Sequence, residues 1–448
     1  MNMNDSNTLG RLIYLFIYLG FICLNSRVTA NEPENYVLTI ETAKKIALER
    51  SLNLAAKKEQ VEVSHSLQGR ATSKFYPTLE SKLGSEQGLT GKNEQASTFG
   101  YLAARWNIYR GGLDVTATRT ASLETKRIEF EYEMERFAVE TTVEEIFSKI
   151  IYLRDICRIK ERYIEINTQQ QALARQVVAR GGGSQSDVIE FEMRLATLKS
   201  ELAQMEQEYQ AAFIKLKLIL GEKLTAQPSP TGELQHQHLK GQLADYVNQT
   251  LVETPQIKLA TLDFDIANHK LTAAKGRWLP QVDVEGRFGS LPASDAGASG
   301  KLGSSVALVA TWEIFGGFDA SYEVREKLSE KAQADWQLKA SIQTLLADLE
   351  TQFSELTTLQ KRADLEKNNV RTAKKFYDLV FADFKRGYKN SGDFIDAAQA
   401  WYDAEIQRKK LDLEFVEKKL YLEKQLGKRI ISNPMKDLDD DEKEKHAP

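Results

Sequence analysis

Asp393 and Asp396 stand three residues apart, a spacing that puts both carboxylates on one face of a helix. They close the stretch Arg386-Gly-Tyr-Lys-Asn-Ser-Gly-Asp-Phe-Ile-Asp396, which lies between two long segments without helix breakers. Two kinds of chemistry suit such a pair. An Asp with a second acid three residues later can cap the start of a helix. Crowded carboxylates also resist full ionisation and attract cations. The chain says nearly the same thing earlier, in Arg180-Gly-Gly-Gly-Ser-Gln-Ser-Asp-Val-Ile-Glu190, where Ser184 and Ser186 rival Asp187 as caps. Each time Arg-Gly breaks a helix, and an Asp follows that Gly by six residues. Both stretches therefore read as tight helix-to-helix turns, and Gly181, Gly182 and Gly183 make the first one pliable.

Little else in the chain could do chemistry. It has no nucleophile elbow, phosphate loop or zinc signature. The triple glycine follows a helix rather than a strand, so it is not a nucleotide loop. His236 and His238 sit in a polar linker without partner ligands and read as solvated loop. No catalytic residue, metal site or cofactor is expected, and the chain does not read as an enzyme. A net charge of −4 gives no basic footprint for nucleic acid. Of the two cysteines, Cys23 falls in an N-terminal leader and Cys157 in a helical run, so the mature chain forms no internal disulfide.

The elements that position the turns come in duplicate. Trp106-Asn-Ile-Tyr-Arg-Gly-Gly112 is echoed by Trp312-Glu-Ile-Phe-Gly-Gly317, and Tyr76-Pro77 by Leu279-Pro280. Trp106 to Asp187 and Trp312 to Asp393 are both 81 residues; Asp187 to Gly221 and Asp393 to Gly427 are both 34. One long supersecondary unit has been used twice. The predicted layout is a signal peptide over 1–30, a first repeat over 31–224, a linker over 225–242, a second repeat over 243–432 and an acidic disordered tail over 433–448. Leu12 to Leu24 is too short an apolar run to span a bilayer, and Val28-Thr-Ala30 offers a small-residue cleavage pattern.

Within each repeat a helix ends at Pro77 or Pro280, because proline cannot continue the backbone ladder. The first of these helices, Thr39 to Lys74, is expected to break at Ser51, where the second repeat has Thr254-Pro255, an N-cap and first-turn pair. Period-two alternation follows. Val282, Val284, Gly286 and Phe288 share one face; Gln281, Asp283, Glu285 and Arg287 share the other. The return strand continues the pattern through Val306, Leu308, Ala310, Trp312 and Ile314, after a loop over 290–305. The first repeat does the same more weakly, giving hairpins over 78–109 and 281–315. Leu113 to Arg180 and Phe318 to Arg386 contain no Gly or Pro, and helices of that length reach about 100 Å. Ile342, Leu345, Leu349, Leu356, Leu359 and Ala363 mark a packing seam near a 3–4 alternation. Shorter return helices then run to Leu220 and Leu426. Strands of about ten residues can cross a membrane when tilted. Four cannot close a barrel, and open edges do not face lipid, so spanning strands require several chains to pool them.

Leader, duplicated helix–hairpin–long helix–turn–helix units, Pro before the first strand, Trp and Gly-Gly after the second, and Gly-x5-Asp-x2-acid turns together resemble the TolC family of outer-membrane efflux proteins. The resemblance covers about 38–430. It implies a mainly α fold with a transmembrane β-barrel, as a homotrimer with a 12-stranded barrel, four strands per chain, in the outer membrane of a Gram-negative cell. A long periplasmic α-helical barrel lies below it, with the linker in a small equatorial layer. It implies a passive exit duct, partnered by a periplasmic adaptor (membrane fusion) protein, an inner-membrane pump of RND or ABC type, and outer-membrane lipid. Cargo would be small molecules such as drugs and toxic compounds, or protein through type I secretion; an exported coiled-coil scaffold without a pore is the remaining alternative. By the same resemblance Lys389, Asp393 and Asp396, with Arg386, form a periplasmic gate, in which threefold symmetry sets six carboxylates about one axis and favours cations. Gly392 departs from the family pattern, where an apolar residue is common. The turns, through Arg180, Gly181, Gly182, Gly183, Asp187, Gly387 and Tyr388, would face the adaptor. Glu80, Lys82, Arg105, Asp283, Glu285, Arg287 and Glu313 would line the barrel lumen.

Overall fold

A computed structural model of the chain describes residues 37–90, 93–182, 184–221, 229–234, 239, 254–290, 302–386 and 388–430. The expected leader, most of the linker with His236 and His238, the acidic tail, Gly183 and Gly387 lie outside the described residues. In chain order the elements are β1 (Val37–Leu38), α1 (Ile40–Arg50), α2 (Leu52–Ser73), β2 (Thr78–Thr90), β3 (Asn93–Arg110), α3 (Leu113–Ala179), α4 (Gln185–Ile219), β4 (Ser229–Pro230), α5 (Pro255–Gly276), β5 (Gln281–Ser290), β6 (Leu302–Thr311), α6 (Asp319–Lys385) and α7 (Ser391–Leu426). Among the described residues, no helix is long and apolar enough to cross a membrane.

Local chemistry explains the boundaries. Ser51 ends α1 and caps α2, its hydroxyl accepting from the Leu54 amide. Pro255 opens α5 behind Thr254, in the first-turn position where a missing N–H costs nothing. The two long helices are both 67 residues and both begin after a left-handed residue, Gly112 at φ 77° and Phe318 at φ 68°. The glycine pairs of the two repeats are therefore offset by one from their expected match: Gly111 corresponds to Gly317, and Phe318 takes the place of Gly112. Phe318 is the one non-glycine with positive φ among the described residues, a conformation that strains a residue carrying a Cβ.

The four larger strands form one antiparallel sheet in the order β2-β3-β5-β6. Thr78 pairs with Arg105 in the first hairpin and Gln281 with Thr311 in the second. Each hairpin is anchored by the same bond. The Trp106 indole N–H donates to the Phe75 carbonyl (2.9 Å), and that of Trp312 donates to the Trp278 carbonyl (3.1 Å). The second hairpin differs from expectation at both ends of its return strand. Leu302–Ser305 belong to β6 rather than to a loop, and β6 stops at Thr311, leaving Trp312, Glu313 and Ile314 outside it. β3 runs on to Arg110 because β5 covers its second edge, with a bulge between Asn107 and Tyr109; among the described residues β6 has no strand on that edge.

The helices pack as two hairpins, α3 with α4 and α6 with α7, joined along α3 and α7. α5 lies against both long helices, and at its end the backbone comes close to Gly111, where a Cβ would lie 2.1 Å from the Gly276 carbonyl oxygen. One core gathers Ala43, Val143, Phe147, Ile150, Leu216 and Leu420 from α1, α3, α4 and α7. The predicted seam of α6 is buried at Leu345, Leu349, Leu356, Leu359 and Ala363. The linker carries a short strand that the sequence did not signal. Val37–Leu38 pairs in parallel with Ser229–Pro230, and Arg154 on α3 donates to the Pro230 and Gly232 carbonyls.

Removing the Phe147 side chain, fully buried between these helices, is expected to cost about 3–5 kcal/mol in chemical unfolding of the detergent-solubilised protein. Burial pushes the Asp412 carboxyl in α7 above its usual range, against the pull of Arg408 and Lys409. The folded chain thus holds that proton more tightly than the unfolded chain does, and ionised Asp412 costs stability at neutral pH. Asp412→Asn should raise the thermal midpoint at neutral pH, and the gain should shrink as pH falls into the carboxylate range.

Candidate functional site

The two turns close in the same way. After α3, the Gly181 and Gly182 amides donate to the Val178 (2.9 Å) and Val177 (3.1 Å) carbonyls, with Gly181 left-handed at φ 80°. After α6, the Tyr388 amide donates to the Asp383 carbonyl (3.0 Å). In the first turn this is the Schellman closure, and it explains the glycine directly after Arg180; the second turn shows the corresponding longer bond.

Neither Asp is an N-cap. In the first turn Ser184 takes that place, accepting from the Ser186 amide (3.2 Å). In the second, Asn390 is the cap: its side-chain oxygen accepts from the Asp393 amide (2.8 Å), while the Asp393 carboxylate accepts from the Asn390 amide (3.4 Å). Asp393 is thus the returning member of a capping box. An amide oxygen three residues before the first buried turn reaches that N–H more directly than a carboxylate inside the turn could.

Lys389 Nζ lies 3.6 Å from the Asp393 carboxylate, and both side chains are partly exposed. Asp396, one turn on, is exposed, as are Arg386 and Tyr388. Asp393 and Asp396 therefore lie on the solvent-facing start of α7, with Arg386, Tyr388 and Lys389 in the turn just before it. Asp187 does something else. Half-buried, its carboxylate accepts from the Ser391 hydroxyl (3.0 Å), so the first turn is tied to the start of α7. Arg180, Gly181 and Gly182 are exposed, and around them runs an apolar strip of Leu173, Val177, Ile189 and Met193. The two residues on each helix stand four apart, so each pair shares one face of its helix.

Beneath the turns lies a core that spacing alone did not reveal. Phe394 is fully buried and packs against Tyr377, Phe381 and Phe384, with ring centroids 5.5–5.7 Å apart. Val188 and Phe191 from α4 complete it. A polar joint follows deeper in. Tyr163 of α3 stacks on Tyr402 of α7, with centroids 4.4 Å apart. Lys160 donates to the Tyr402 hydroxyl (2.6 Å) and to Glu201 of α4 (2.7 Å). Arg194 donates to Tyr163 (3.2 Å) and to Gln399. Burial would lower the pKa of Lys160, but its bonds to Glu201 and Tyr402 win and the net shift is upward; burial raises both tyrosines. The joint holds a charged ammonium inside a helix interface.

In the sheet, strand alternation places Glu80, Lys82, Arg105, Asp283, Glu285 and Arg287 on one face. Arg105 sits opposite Glu285 and donates to it through Nε (2.9 Å). Glu285 also lies near Arg287 (3.8 Å), and Lys82 near Glu80 (3.7 Å). Glu313 falls beyond the end of β6 and lies instead against Gly316. The opposite face is apolar and exposed, with Leu79, Leu83, Phe288, Val306 and Leu308. Among the described residues no group of His, Cys, Asp and Glu could hold a metal ion.

The sequence model of the family described as outer membrane efflux protein matches residues 44–222 and 246–428. The chain is 22% identical over 242 residues to the proteases secretion protein PrtF of Dickeya chrysanthemi; that stretch is 53% of this chain and about half the length of that relative, 52%. Among solved structures, the outer membrane protein VceC of Vibrio cholerae superposes with a TM-score of 0.75 at 14% identity, over 88% of this chain and 97% of that one. The open state of the MtrE outer membrane channel of Neisseria gonorrhoeae gives 0.76 at 18% identity, over 87% and 89%.

Tyr402→Phe, which takes a partner from buried Lys160, is expected to cost about 1.5–3 kcal/mol in denaturant unfolding. Pairing it with Lys160→Met should restore part of that loss, because no buried charge is then left short of a partner.

Proposed function

Because the chain belongs to the outer membrane efflux protein family, a family of outer-membrane channels and not of enzymes, we propose that it is the exit duct of a tripartite export system. The observation that carries this reading is the four-stranded sheet. Among the described residues it has one charged face, one exposed apolar face and two outer edges without a paired strand. Such a sheet suits lipid on one side and water on the other only when copies of the chain join edge to edge. Three copies pool twelve strands and enclose a lumen lined by Glu80, Lys82, Arg105, Asp283, Glu285 and Arg287.

The long helices carry the duct into the periplasm and end at the two turns. Lys389, Asp393 and Asp396, with Arg386 beside them, form its gate. Both carboxylates sit on the exposed start of α7, and three copies set six of them about one axis. The first turn receives a periplasmic adaptor through Arg180, Gly181, Gly182 and the strip of Leu173, Val177, Ile189 and Met193, with Tyr388 of the second turn beside them. Asp187 holds the two turns together. The adaptor connects the duct to an inner-membrane pump of RND or ABC type, and small molecules are the cargo. Resemblance to a proteases secretion protein favours a second reading, in which the same duct serves type I protein secretion. The pump selects the cargo, so substrate accumulation and secreted-protein assays in cells lacking the chain separate the two.

Purified protein in a planar bilayer should give discrete, cation-preferring conductance steps. Asp393→Asn combined with Asp396→Asn should weaken both the cation preference and the block by multivalent cations. An unchanged reversal potential together with unchanged block would rule out the gate assignment.

A further inference from the structure

The chain leaves its last helix at a fixed place. Arg429 donates to Glu144 on α3 and to fully buried Glu423 on α7 (2.8 Å), and the Ile430 amide donates to Glu423 as well (3.1 Å). The sequence beyond turns sharply acidic. Asp437-Leu-Asp-Asp-Asp-Glu442 sets five carboxylates around one apolar side chain. Further along the junction of α3 and α7 lies a groove of about 260 Å³ with the opposite charge. Four cations, Arg158, Arg162, Arg408 and Lys409, line it against two carboxylates, Asp155 and Glu405. Both carboxylates are already taken. Glu405 pairs with Arg162, and Asp155 with Lys409 (2.8 Å) and Arg154 (3.1 Å). Arg158 is exposed and pairs with no carboxylate among the described residues, while Arg408 lies 4.0 Å from Asp412.

We infer that the acidic run 437–442 of this same chain docks in that groove and clasps α3 to α7. Helix geometry sets the path. Arg162 stands eighteen residues beyond Glu144, five full turns, so it returns to the face that holds Arg429. Asp155 and Arg158 lie within about 40° of that face. Along the axis of α3, Arg158 is about 21 Å and Arg162 about 27 Å from Glu144. Asp437 follows Arg429 by eight residues and Glu442 by thirteen. Extended chain of those lengths reaches about 26 Å and about 43 Å. The first acid of the run thus arrives at the groove when the segment before it is nearly straight, and the later ones arrive with slack.

The chemistry of the two partners matches. Arg158 and Arg408 gain the close carboxylates they lack, and a guanidinium fork accepts two such oxygens at once. Leu438, between the acids, meets Ile159 and Val370, the apolar residues of the groove. The linker does not fill this role. Arg154 holds it at the rim through the Pro230 (3.3 Å) and Gly232 (2.8 Å) carbonyls, which bring no carboxylate to the groove. Each exposed pair is weak by itself. Tethering offsets that weakness, because it holds the acids near the groove at an effective concentration on the order of millimolar. An acidic segment of another protein has no such advantage.

A disulfide tests this in the full chain, with Cys23 and Cys157 replaced by Ala. Leu438→Cys with Val370→Cys should oxidise within one chain, giving a faster band on a non-reducing denaturing gel and a linked peptide by mass spectrometry. Leu438→Cys with Leu346→Cys is the control and should oxidise more slowly. Leu346 is exposed and sits beside the end of α7, where Leu345 packs with Leu426, so an undocked tail would meet it as readily. Arg158→Glu with Arg408→Glu should slow the Val370 reaction about tenfold. Adding Asp439→Lys and Asp440→Lys should restore it, which separates lost charge from lost folding. Equal rates at Val370 and Leu346, a rate indifferent to these charges, or a disulfide between copies in place of one within the chain overturns the docking. Conductance of the same preparations checks the duct reading separately.

Discussion

Every strand of a sheet that faces lipid must find a partner on both edges, since no water is present to take the place of one. That constraint organises this protein. Among the described residues the larger sheet has four strands, with β3 and β5 paired on both edges and β2 and β6 each on one. Its effect is visible in the lone chain. β3 is paired to Arg110 because β5 lies beside it, whereas the pairing of β6 ends at Thr311, opposite the first residue of β5, although the two sequences alternate alike. The same alternating pattern is paired over a different length according to what stands on its far edge. In the proposed duct the apolar sheet face meets lipid and the charged one lines water.

The helical part solves a different problem, that of placing two short turns accurately at the end of helices 67 residues long. Packing supplies most of the answer. Phe394, Phe191 and Val188 fuse the starts of α4 and α7 into one core directly beneath the turns. The remainder is polar. Lys160 joins α3, α4 and α7 through Glu201 and Tyr402, and Asp187 reaches across to Ser391. A buried ammonium held by two partners is sensitive to misplacement, so it fixes the relative position of three helices more sharply than apolar contact does. The turns can then present Lys389, Asp393 and Asp396 to solvent at a defined place.

The repeat, the break at Ser51, the α6 seam and the alternation of the hairpins were all legible in the order of residues, because each depends on neighbours three, four or two positions away. Much of the candidate site was legible for the same reason: Arg-Gly followed by an Asp marks a helix-to-helix turn. The details within it were not. Asp393 looked like a cap, but Asn390 is better placed to reach its amide. Asp187 was read as a cap and as an adaptor-facing turn residue, but Ser391, 204 residues away, is its hydrogen-bond partner. The strand β4 left no pattern, since two residues are too few to show a period.

By itself, then, the sequence determined the periodic elements, their lengths, the order in which they recur and the residue types at each turn. Those features are set by backbone geometry over a few residues, and the chain writes them twice. Tertiary structure alone decided which groups meet: Arg105 with Glu285, Lys160 with Tyr402, Asp187 with Ser391, and the end of β6 at Thr311. Such pairings depend on where distant segments come to rest, and a pairing between groups hundreds of residues apart leaves no local spacing from which to read it.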